Sequence, residues 1–185
     1  MGLKAVVIDL DDTFYSSFGA CDAYAYERLA VWAEETLGIP GDTFLQAFHA
    51  NRHRLGRQQP GMPPVHDRVL FAQGALERLG CNATRYSRQA HRVYWDAVLE
   101  KMELRPGVPE LLADSRQAGA KTAVRTDMLA HIHLAQLEHL ALAAQAHSLG
   151  ARDNAAMAHA RPPIFRLSIH HCGCLPGHRA HARST

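Results

Sequence analysis

Three carboxylates, Asp9, Asp11 and Asp12, follow directly on the apolar run Ala5-Val-Val-Ile8, within the stretch Lys4-Ala-Val-Val-Ile-Asp-Leu-Asp-Asp-Thr13. Asp9 and Asp11 are two residues apart, so on an extended segment both lean toward the same side. Carboxylates that close repel one another unless a cation lies between them, and hard oxygen ligands favour Mg²⁺. The same residues also read as an acidic turn or a helix cap, because Asp and Thr serve both purposes. A second polar tip follows the run Lys121-Thr-Ala-Val-Arg-Thr126, with Asp127 next in the chain. Thr126 is either a hydroxyl donor at a ligand site or the N-cap of the helix that follows.

The elements that position these groups can be read from spacing. A short apolar, β-branched run without polar alternation suits a strand buried on both faces of a parallel sheet. Ligands of such sheets bind beyond the carboxyl ends of the strands. Residues 21 to 37 have apolar positions at helical spacing and stop at Gly38 and Pro40, which predicts a helix. Asp42 or Thr43 is expected to cap a second helix to about residue 55, followed by a loop over residues 56 to 64. Further helices are expected over residues 66 to 79 and 84 to 102. A helix opened by Pro109 then runs to about Gln117, and a strand ends at Thr126. The last expected helix continues to residue 140, and residues 141 to 159 carry little strand signal.

The chain has 185 residues and 47 % hydrophobic residues, enough for one domain or one domain with an insert. It contains no run of 18 apolar residues, so no membrane span is expected. Met1-Gly-Leu-Lys4 does not read as a signal peptide. The four cysteines, Cys21, Cys81, Cys172 and Cys174, form no disulfide framework, which favours reduced thiols and a cytoplasmic protein. Net charge is +2, but residues 151 to 185 hold five Arg and five His against one Asp, so the earlier part is about −2. His170, His171, Cys172, Cys174, His178 and His181 are soft-ligand types that could hold Zn²⁺, although their spacing matches no finger pattern.

With both tips in view, Asp9-Leu-Asp11-Asp-Thr13 resembles the first motif, Asp-x-Asp-x-Thr, of the haloacid dehalogenase superfamily. Thr126 at its strand end resembles the second. His66-Asp-Arg-Val-Leu70, Tyr94-Trp-Asp96, Leu104-Arg-Pro-Gly-Val108 and Thr126-Asp-Met-Leu-Ala-His-Ile132 extend the likeness to a capped, phosphatase-like subgroup over residues 1 to about 142. The resemblance implies an α/β fold, with a Rossmann-like parallel core from residues 1–14 and 104–185. A helical cap, residues 15–103, would be inserted into it. It implies Asp9 as a nucleophile that accepts a phosphoryl group, Asp11 as general acid and base, and Thr126 with Asp127 as phosphate ligands. Mg²⁺ would be held at Asp9 and Asp11. The substrate class it implies is a small phosphorylated metabolite, with neither nucleic acid nor membrane as a partner. His66, Asp67 and Arg68 are candidates for the cap's substrate-facing edge, or for a solvated helix start.

The likeness departs in two places. Arg161, in Arg161-Pro-Pro-Ile-Phe165, stands where the family has a phosphate-steadying Lys, and it also reads as a helix-start arginine. No acidic residue follows Asp153, whereas the family ends its fourth strand in Gly-Asp. A metal site without that carboxylate is expected to bind Mg²⁺ weakly. A sheet without that strand leaves the first strand at an open edge, which favours a homodimer or aggregation. The Ala-, His- and Arg-rich end is expected to be a truncated or frame-altered version of a longer phosphatase. Two functions follow: a Mg²⁺-dependent phosphomonoester hydrolase working through an aspartyl-phosphate, or an inactive relic or binding protein that keeps the fold. Dehalogenation fits less well, because it does not need Asp11 as acid and base.

Overall fold

The computed structural model describes residues 4–126, 128–146 and 148–151. Three parallel strands, β1 (Ala5–Asp9), β2 (Lys121–Arg125) and β3 (Ser148–Gly150), lie side by side in that order. Ala5 pairs with Lys121 and Asp9 with Arg125, so the two strands end level. Val124 pairs with Leu149, and the β2–β3 ladder continues into Thr126, whose N–H donates to the Gly150 carbonyl at 2.9 Å. β2 is the buried centre at Thr122, Ala123 and Val124, while Val6, Val7 and Ile8 are only half-buried. Burial on both faces is therefore corrected, and the other expectation, of a first strand at an open edge, describes β1 among the described residues. β3 corrects a second expectation. It is three residues long and exists through its pairing with β2, so it has no pattern of its own to read.

Helices fill the interval between β1 and β2. α1 (Asp22–Trp32) runs on through a π-type turn, Ala33–Leu37, and stops at Gly38, whose φ of 67° suits a residue without Cβ. α2 (Gly41–Gln58) starts without a side-chain cap from Asp42 or Thr43; the Glu34 carboxylate accepts the Gly41 N–H at 3.0 Å instead. It also continues past Gly56, where a loop is expected. A Cβ on Gly41 would lie 2.6 Å from the Ala30 Cβ, so α2 leaves α1 at close range. α3 (Arg68–Arg78) is capped by Asp67, which accepts the Val69 N–H at 2.8 Å. α4 (Ala83–Glu100) is capped by Asn82, which accepts the Arg85 N–H at 3.0 Å. α5 (Val108–Gln117) has Pro in its first turn, and α6 (Ala130–His139) follows β2.

Two apolar clusters result. One, with Leu29, Trp32, Phe44, Phe48, Phe71 and Leu76, lies within residues 29 to 90. The other joins Leu10, Phe14, Val124 and Ile132 beside the strands to Ala25 of α1 and Tyr94 and Trp95 of α4. Cys21 and Cys81 are free thiols. Among the described residues no helix is long and apolar enough to cross a membrane.

Candidate active site

β1 delivers Asp9 to its C-terminal end, where the side chain is exposed. The chain then turns at once. The Leu10 carbonyl accepts N–H bonds from Thr13 at 3.2 Å and Phe14 at 2.9 Å, and Asp12 takes a φ of 56°. Asp tolerates that left-handed conformation better than most residues, so the turn reading of the acidic run applies to Asp12. The turn drives Leu10, Phe14 and Tyr15 into the core and leaves Asp11 half-buried between them. Asp9 and Asp11 therefore differ in their surroundings, because the extended segment ends before the second carboxylate.

Both Asp11 oxygens are engaged. Oδ1 accepts the Tyr15 hydroxyl, and Oδ2 lies 3.3 Å from His133 Nε2. The same His133 nitrogen lies 2.6 Å from Thr126 Oγ1, which also accepts the Met128 N–H at 3.0 Å. Gln136 Nε2 donates to the Tyr15 oxygen at 2.9 Å. Thr126, His133 and Gln136 are all fully buried. A carboxylate only accepts, so assigning the shared hydrogen to His133 Nε2 satisfies Asp11. Thr126 Oγ1 then accepts twice, and its own O–H is left to donate. Burial alone pushes the Asp11 carboxyl up. The hydrogen bond and charge of His133, the Tyr15 hydroxyl and the charge of Arg68 outweigh it and hold the group below its ordinary range. Burial, followed by the Asp11 charge, raises Tyr15, which stays a neutral donor. His133 Nδ1 and Gln136 Oε1 have no partner among the described residues.

Arg68, at the first residue of α3, is a buried cation and not part of a solvated helix start. Its guanidinium carbon lies 5.1 Å from the Trp95 ring, 5.2 Å from Tyr94 and 5.8 Å from Phe71. Nη1 donates to the His66 carbonyl at 2.9 Å and approaches Met128 Sδ at 3.5 Å. It thus ties α3 to the loop after Thr126. Desolvation pulls its pKa down, but Tyr94 and Asp22 reverse the sign, so it remains a cation.

Asp9 and Thr126 come together at the level ends of neighbouring strands, since Asp9 pairs with the residue just before Thr126. Asp11 joins them through His133. Thr126 does not cap α6, whose cap position is Leu129 with no side-chain bond; its hydroxyl closes a tight turn onto Met128. Asp127, Arg161 and the His- and Cys-rich tail lie outside the described residues. Sequence reasoning missed Tyr15, His133 and Gln136. Their signal is visible afterwards: His133 and Gln136 are polar residues on the buried face of α6 that carries Ile132 and Leu137. For a divalent cation the donors present are oxygens of the right kind but too few. Asp9 offers an exposed carboxylate, Asp11 has its side chain occupied, and among the described residues no group of three His, Cys, Asp or Glu side chains is placed to hold a metal.

Several solved structures are similar to this chain over most of its length. The 2-haloacid dehalogenase of Pseudomonas syringae matches with a TM-score of 0.70 and 19 % identity over 92 % of this chain and 73 % of its own. The HAD phosphatase of Thermococcus onnurineus gives 0.64 and 19 % over 92 % and 72 %. A protein described as a HAD-hydrolase from Bacillus subtilis, bound to magnesium, gives 0.60 and 18 % over 97 % and 75 %. The chain has the fold of these haloacid dehalogenase-like proteins. Its sequence is 32 % identical over 141 residues to the ribulose-1,5-bisphosphate 5-phosphatase of Halopiger xanaduensis, covering 75 % of this chain and 58 % of that protein. The chain thus spans less than two thirds of the length of this curated relative. No family model matches it.

Proposed function

We propose that the chain hydrolyses a small phosphomonoester, with Asp9 as nucleophile, Asp11 as acid and base, and Thr126 as a phosphate ligand. The observation that carries this reading is the level pairing of Asp9 with Arg125, which sets an exposed carboxylate beside the Thr126 tip. An Asp9 oxygen attacks phosphorus, the bond to the leaving oxygen breaks, and that oxygen takes a proton from Asp11. Water then attacks the aspartyl-phosphate, gives its proton back to Asp11 and releases inorganic phosphate. Mg²⁺, held by Asp9 and the Asp11 main-chain carbonyl, would supply charge neutralisation between two anions. Its weak protein donor set leaves most positions to water and substrate. Residues 15–103 form the cap of this proposal, and Arg68 is a cap cation whose charge is felt at Asp11. Asp127 and Arg161 are proposed as further phosphate contacts. The relative's name points to a sugar phosphate, so ribulose-1,5-bisphosphate is the first substrate to try.

One observation favours a second reading, a fold relative without turnover. The Asp11 carboxylate faces Tyr15 and His133 and is held ionised, which suits a base and not an acid. A phosphatase assay with Mg²⁺, comparing the chain with Asp9→Asn, separates the two. The hydrolase reading expects a fall of more than about 10³-fold at an unchanged melting temperature. Equal release from both proteins would leave only the second reading.

A further inference from the structure

We propose that the groove between α2 and α3 is a second anion site, which takes a small phosphate-bearing molecule and is distinct from the strand tips. The groove has a volume of about 710 Å³, within the range of small-molecule sites. Ala47, Ala50 and Gly74 line it, small residues that keep it open, and Arg54, Arg57 and Arg78 stand around it. Gly74 is required there: a Cβ would lie 2.1 Å from Asn51 Nδ2.

Asn51 is the buried anchor. Its Nδ2 donates to the Leu70 carbonyl at 2.6 Å, which fixes the amide, and its Oδ1 accepts the Arg54 Nε–H at 2.8 Å. Gln58 accepts from Arg54 Nη1 at 2.7 Å. One guanidinium is therefore oriented before any ligand arrives, which reduces the ordering cost of binding. None of the three arginines has a carboxylate partner among the described residues. The one acid on the groove, Glu77, accepts from Gln73 at 2.8 Å. Residues 43 to 66 contain three Arg and three His and no Asp or Glu. Three guanidinium groups around one concavity repel each other, and an anion with several oxygens removes that repulsion. Guanidinium forks match phosphate oxygens in pairs. The concave shape and modest volume favour a small anion over a flat polymer surface.

The test is an NMR titration of the whole chain, without Mg²⁺, with inorganic pyrophosphate and separately with glycerol 2-phosphate. The backbone amides of Ala47, Ala50 and Gly74 are followed. Saturable shifts at these amides are expected for at least one probe, and the tighter of the two tells a free phosphate from an organic one. In Arg57→Gln/Arg78→Gln the affinity read at these amides falls by at least about tenfold. The response of Met128, beside the strand tips, stays as it was. Shifts confined to Met128 and its neighbours, no shifts for either probe, or unchanged affinity in the double variant overturn the proposal. Both substitutions are at exposed positions, and the wild-type shift map decides the location even if the variant folds poorly.

Discussion

Between residues 29 and 90 the interior is aromatic. Trp32 meets Phe44 at 5.6 Å between ring centroids, Phe44 meets Phe48 at 6.3 Å, and Phe48 meets Phe71 at 5.6 Å. Beside the strand tips the interior is equally closed, but it holds Asp11, Tyr15, Thr126, His133 and Gln136. The first region lowers its free energy by removing apolar surface from water and needs only size and spacing. The second must satisfy each buried polar atom in turn, and it leaves His133 Nδ1 and Gln136 Oε1 without a partner among the described residues. The aromatic region leaves Trp32 Nε1 unpartnered among the described residues as well, so the two regions differ in how many polar side chains are joined to one another, Asp11, Tyr15, Thr126, His133 and Gln136 forming one connected set.

Breaking the scaffold gives the largest stability effect. Phe48→Ala is expected to destabilise the chain by about 3–5 kcal/mol, since Phe48 is fully buried and meets the rings of Tyr26, Phe44, His49, Phe71 and Tyr94. Urea unfolding checks it, and a loss below about 1 kcal/mol would show that the cluster repacks. The polar network responds more weakly but with a pH signature. His133→Ala is expected to cost about 1–3 kcal/mol near neutral pH, because it takes a partner from both Asp11 and Thr126. The Asp11 carboxyl is depressed in the folded state, so its stabilising contribution is present above its ordinary value of 3.8 and is lost as pH falls through the lower folded value. Removing His133 raises that folded value. The variant should therefore lose less stability than the parent on acidification from pH 5 to pH 2. Parallel curves would separate Asp11 from His133 energetically.

The same contrast decides what can be read from the chain alone. The helices of residues 29 to 90 are legible because their apolar faces repeat at helical spacing and Gly38 closes the first of them. The two strand tips are legible because an apolar run ending in carboxylates or a hydroxyl carries its own punctuation. Their adjacency follows once the strands are taken as parallel neighbours. What spacing hides is tertiary. α2 passes through Gly56 because Arg54, held by Asn51, bonds Gln58 one turn on and supports the last turn. β3 takes its form from its pairing with β2, its one strand partner among the described residues. Asp11 turns inward because Tyr15, His133 and Gln136 converge from two separate elements, and no local pattern brings positions 11 and 133 together.

The smallest effects give the sharpest test, because two glycines of the same helical pair should respond with opposite sign. Gly74 faces Asn51, and a Cβ there meets Nδ2, Cγ and Oδ1 at 2.1 to 2.5 Å. Gly74→Ala must displace a buried amide bonded to Leu70 and Arg54, an overpacking expected to cost about 1–3 kcal/mol. Gly56 lies inside α2 with nothing within 4 Å of its would-be Cβ. Gly56→Ala narrows the unfolded ensemble and meets no obstacle, so it should stabilise the chain by about 0.4–1 kcal/mol. Thermal melts of the two single variants, run side by side, read the difference directly. If both stabilise, Asn51 is free to move aside, and the oriented guanidinium of Arg54 in the α2–α3 groove is not held by packing. If both destabilise, α2 does not continue as a helix through Gly56, and the expected loop from residue 56 onward is restored.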